Sequence, residues 1–179
     1  MVDPLDKATE GKDLIGKIQN FLAGFIGYYD RERRRDADKM LREMVVDRYE
    51  EQWSRISEIQ RQLISEGLLE LVDDLESAAV KLRGFIDRVD NAAYGYAGFF
   101  DAVRIQQDEL QKLYEFDLAL LEGASEVSVA IDGLSAAMGS EELPEAIRNL
   151  VTVSQQAIAA YDRRDEVILA ASDLAGDLD

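Results

Sequence analysis

Residues 49–89 read YEEQWSRISEIQRQLISEGLLELVDDLESAAVKLRGFIDRV, and a change of phase inside this stretch decides the fold. Tyr49, Ile56 and Leu63 recur at sevens and extend a stripe that starts at Ala37, Leu41 and Val45 and takes in Trp53 and Ile59. Steps of three and four are what one buried helical face requires. The next position of that seam is Glu70. The apolar pattern restarts instead at Leu68 and runs through Leu75, Leu82 and Val89. An unbroken helix would bury Glu70, so the chain is predicted to turn at Ser65-Glu66-Gly67, with Gly67 in the left-handed cap.

Working outward gives helices over about 30–65 and 68–93, the latter with a second row at Val72, Ala79, Ile86 and Ala93. A third, over 107–138, carries Leu113, Leu120, Val127 and Leu134 beside Leu110, Ala124, Ile131 and Met138, with a further apolar face at Tyr114, Leu118 and Leu121. Gly139-Ser140 closes it and Pro144 opens a fourth as a first-turn proline, continued by Ile147, Ser154, Tyr161 and Ile168. In this last helix Arg164 interrupts the second apolar row and is expected to loosen the final turns. The fold class is therefore all-α, an elongated antiparallel up-down bundle of four long helices preceded by an amphipathic one. The three longest would each span roughly 45–55 Å at about 1.5 Å per residue. Residues 1–11 form a flexible leader, 12–29 the amphipathic helix and 30–179 the bundle.

The N-terminal stretch is least like the rest. Nearly a third of the chain is charged, yet Ile18 to Tyr29 carries no charge. As a helix over 12–28, it places Leu14, Ile15, Ile18, Phe21, Leu22, Phe25, Ile26 and Tyr29 in one apolar sector. Gly24 and Gly27 weaken its end. Of fourteen aromatic residues, Phe21, Phe25, Tyr28 and Tyr29 lie here and Tyr94, Tyr96, Phe99 and Phe100 lie in the glycine-containing connection after the second long helix. Either the two stretches dock on each other and are core, or together they form an interaction surface. The second reading is the expectation carried forward, with helix 12–28 dispensable for folding.

Composition bounds the chemistry. Histidine and cysteine are absent, which removes imidazole bases, thiol nucleophiles and the usual zinc and di-iron ligand sets. No phosphate-binding glycine loop or calcium loop is present. Asp73-Asp74-Leu75-Glu76 matches a diphosphate-binding acidic box only in part, because Ser77 holds the fifth position. An acidic cage of Asp47 and Glu50 with Glu70 and Asp73 fails on hairpin geometry, which sets Glu50 opposite Gly84. Asp117 stands on an otherwise apolar row and must be paired or hydrogen-bonded, or else have a raised pKa; the structural reading is a buried ion pair with Arg83, Arg88 or Arg104 as partner. A functional acid is the alternative reading of Asp117.

Net charge is −17, and residues 62–179 hold 24 acidic against 8 basic side chains. Such a surface repels phosphate backbones, so nucleic acid is not an expected partner. The basic run Arg31, Arg33, Arg34, Arg35 sits among acids that nearly cancel it. No run is long and apolar enough to span a membrane and no signal peptide is recognisable, so a cytoplasmic location is expected, with membrane association as its variant. The resulting expectation is a non-enzymatic scaffold or adaptor without cofactor or metal, acting by protein–protein contact and self-associating through the N-terminal helix. Insertion of residues 14–29 into a lipid surface is the alternative, and a small-ligand or carboxylate–metal helical enzyme is the third.

Overall fold

The computed structural model describes residues 4–92, 96–101 and 105–176, and among these every regular element is helical. The elements are α1 (Pro4–Phe21), a 3-10 turn at Arg31–Arg33, α2 (Arg34–Ser65), α3 (Leu69–Asn91), the short α4 (Ala97–Asp101), α5 (Gln107–Ala137) and α6 (Leu143–Gly176). Six helices pack around one core.

The phase break does end α2. Gly67 adopts φ +76° and the Leu68 amide closes the turn onto the Leu63 carbonyl at 3.0 Å. The stripe of α2 is buried from Ala37 to Leu63, apart from Trp53, which is half-buried with its indole N–H donating to the Ala79 carbonyl. At roughly 1.5–3 kcal/mol per large apolar side chain, that stripe is the chief reason α2 is held in place. Glu50 meets Arg83 across the hairpin, as the geometry required. Asp73 and Asp74 are exposed and Glu76 accepts from Gln60, so the acidic box is a solvated face.

The plain antiparallel four-helix bundle needs correcting. Helices α2 and α3 form one hairpin and α5 and α6 a second. The hairpins then pack with α2 alongside α5, and these run in the same direction: Tyr49 donates to the Leu120 carbonyl, and six residues on Arg55 donates to Ser128. Helix α3 packs on α2 and α6, while α5 packs on α1, α2 and α6. Helices α3 and α5 therefore occupy opposite corners, and α4, which lies between them in the chain, packs on α6.

The first helix also differs from expectation. It begins at Pro4 and ends at Phe21, where 12–28 was predicted, so residues 4–11 are helix and not leader, and Leu22–Asp30 is an irregular return. Gly24 and Gly27 have φ of +87° and +77°, a region side chains avoid. At Gly27 a Cβ would also lie 2.7 Å from the Tyr114 hydroxyl and 2.9 Å from Ile15 Cδ1. Helix α1 packs on α5 and stops where Arg48 of α2 covers the Phe21 ring. It is a fifth bundle member and not a detached arm. Arg164, in turn, does not loosen α6, which runs unbroken to Gly176.

Candidate functional site

The residues expected to form an interaction surface are mostly core. Ile18, Leu22, Phe25, Tyr96, Phe99 and Phe100 are buried, and Leu14, Ile15 and Phe21 are half-buried against the core. Ile26 and Tyr29 are exposed, each by 47%. Tyr94 lies outside the described residues. The two aromatic stretches dock on each other, with Tyr28 and Phe100 ring centroids 5.8 Å apart. Tyr28 also stacks on Tyr114 at 5.3 Å, and Phe25 meets the Tyr28 ring edge-on at 5.6 Å. The physical reason is the return at Gly24–Gly27, which folds the aromatic segment back into the bundle and leaves no continuous apolar helix to present.

Beneath these rings lies a buried charge network. Asp117 and Arg164 are both fully buried, and Arg164 Nε donates to Asp117 Oδ1 at 2.6 Å. Arg164 Nη2 donates to Asp38 Oδ1 at 2.7 Å, and Arg42 Nε to Asp38 Oδ2 at 2.8 Å. The Tyr28 hydroxyl donates to Asp117 Oδ2 at 2.6 Å. Arg34 Nε donates to the Tyr28 carbonyl at 2.6 Å, and the Tyr28 amide to the Tyr114 hydroxyl at 2.6 Å. The Tyr96 ring stands 5.7 Å from the Arg164 guanidinium, and its hydroxyl donates to Asp165 at 2.5 Å.

Asp117 is thus the buried acid the sequence singles out, but with a different partner. Arg83 serves Glu50 and Asp87, Arg88 serves Asp162, and Arg104 lies outside the described residues. Burial pushes the Asp117 carboxyl up, against the opposing pull of Arg164 and Tyr28. For Arg164, burial opposes the charge, and Asp117 and Asp38 outweigh it to hold the guanidinium well above its ordinary pKa. Both Asp117 oxygens are engaged by neighbours, so this carboxylate ties α5 to α6 and to the return segment. Arg34, Asp38 and Arg42 are buried on the same inner face. Their i,i+4 ladder continues the phase of Val45 and Tyr49, and that was the legible signal.

A surface feature of a different kind lies at the other end of the bundle. Between the C-terminal part of α5 and the N-terminal part of α6 runs an open groove of about 810 Å³. Its floor is Ala130, Ala137, Ala146 and Val153, and Gly133 leaves it unfilled, since a Cβ there would meet nothing within 4 Å. Val129 stands at its edge, 68% exposed. Glu126, Glu142 and Glu145 form its rim and are exposed. No sequence signal separated these small residues from ordinary helix filler. The groove opens because alanine and glycine occupy positions where larger side chains would close the space between two helices.

Among the described residues no group of acids could hold a metal ion, and no helix is long and apolar enough to cross a membrane. Comparison of the chain with known protein families, curated proteins and solved structures finds no match.

Proposed function

We propose that this protein acts without catalysis, by holding an α-helix of another protein in the groove between α5 and α6. The observation that carries the reading is the groove itself, an apolar trough between two rigid helices with an unfilled floor at Gly133. Helix-in-groove recognition needs a preformed apolar channel and little movement of the receptor. The bundle contains a precedent, since α1 packs as a helix on α5. The apolar side of residues 14–29 is turned largely into the bundle, so neither self-association nor lipid insertion through it belongs to this reading.

The test uses the full chain and a synthetic amphipathic peptide with one alanine- and leucine-bearing face. Backbone amide shifts should move in residues 125–137 and 142–153. Gly133→Leu, whose Cβ would meet nothing within 4 Å, should abolish those shifts while leaving the helical circular dichroism unchanged. Shifts confined to other helices, or shifts that survive Gly133→Leu, would overturn the reading.

A further inference from the structure

The charge around the groove says which kind of helix it takes. From Glu122 to Val153 the chain carries Glu122, Glu126, Asp132, Glu141, Glu142 and Glu145 against a single base, Arg148. Asp132 is engaged by Arg55. The three rim glutamates form no ion pair with any Lys or Arg of the described residues. The contrast with the other end is sharp, because there Asp38, Asp117 and Asp162 each have an arginine. Unpaired acids on both walls of an apolar trough repel one another until a cation arrives.

We infer that the occupant is a cationic amphipathic helix, with small apolar residues on the face that enters the groove and Lys or Arg along both flanks. This rests on the groove reading above and adds the chemical class of the partner. Ser125 to Ala137 spans about 18 Å at roughly 1.5 Å per residue, which accommodates three to four turns. The exposed Val129 is a knob, so the incoming helix needs an alanine or glycine opposite it. A second copy of this chain is a poor occupant, since each copy carries a net charge of −17.

The discriminating experiment compares two synthetic helices that share one alanine–leucine face and differ in carrying Lys or Glu on their flanks. Each is titrated into the full-length protein, into Gly133→Leu and into a Glu126→Lys/Glu142→Lys/Glu145→Lys variant, at low and high salt. The lysine peptide should bind the native protein. It should weaken about tenfold or more in the charge-reversed variant and with salt, and it should fail on Gly133→Leu. An acidic protein attracts any polycation, and the filled-groove variant separates that trivial binding, which it would leave intact. If both peptides bind alike and Gly133→Leu blocks both, the groove stands and the cationic class is wrong. If the lysine peptide binds Gly133→Leu as well as the native protein, or if neither peptide binds, the groove reading fails with it.

Discussion

The Tyr28 hydroxyl donates to Asp117 Oδ2 at 2.6 Å across a separation of 89 residues, and this bond closes the return segment onto the middle of the bundle. The same carboxylate takes Arg164 on its other oxygen. One buried acid therefore joins the N-terminal segment to both helices of the second hairpin.

The N-terminal segment should be required for folding. Ile18, Leu22, Phe25 and Tyr28 are all buried, and loss of a buried Phe side chain costs about 3–5 kcal/mol. Phe25→Ala should lower stability by that amount, and Ile26→Ala, at an exposed site, by less than about 0.5 kcal/mol. Deletion of residues 1–29 should leave a chain without a cooperative thermal transition. Thermal and urea unfolding followed by circular dichroism decide it, and a stable, cooperatively folding truncation would refute the placement of α1.

Removing the arginine should be worse than removing the bond suggests. Arg164→Met leaves the buried Asp117 without its arginine and Asp38 with one of its two, and breaking a buried pair from one side costs about 3–5 kcal/mol. Burial then favours the protonated Asp117 carboxyl, with the pull of Arg164 gone. A carboxyl whose folded pKa lies above its unfolded one stabilises the fold at low pH and loses that contribution as pH rises. The variant's deficit should accordingly shrink as pH falls toward the carboxylate range, measured by urea midpoints from neutral to acid pH.

Alkaline pH should unfold the native protein. Burial raises the phenol pKa of Tyr28, Tyr49, Tyr96, Tyr114 and Tyr161 above the ordinary 10.0. A raised folded pKa means that the contribution is fully present below 10.0 and is lost as pH climbs beyond it. The ionisation of these five tyrosines and the loss of helical signal should therefore come together in one steep step. Gradual ionisation of these five with the helices intact would contradict their burial.

Two helical glycines should respond oppositely to alanine. Gly133→Ala meets nothing and should stabilise by about 0.5–1 kcal/mol. At Gly123 a Cβ would lie 2.8 Å from the Tyr49 hydroxyl, which is itself bonded to the Leu120 carbonyl at 2.9 Å. Gly123→Ala should therefore destabilise, by about 1–3 kcal/mol. Chemical denaturation of both variants checks the parallel packing of α2 on α5.

What the sequence alone determined is what periodicity can carry. The seams of α2, α3, α5 and α6 and the turn at Gly67 follow from spacing within one helix, because a helix turns its own residues to one side whatever lies opposite. Asp117 was conspicuous for the same reason, as a charge on an apolar row. Only the tertiary structure decided what meets what. Arg164 breaks the row of α6 at the same distance from the α5–α6 turn as Asp117 breaks that of α5, and each looked like a defect until the hairpin set them together. Phe25 and Tyr28 read as an interface because an uncharged stretch is equally suited to a partner and to its own core. The choice fell to two glycines that turn the chain back. Whether a groove opens between two helices depends on the summed volume of side chains from both, and no single helix's pattern records that sum.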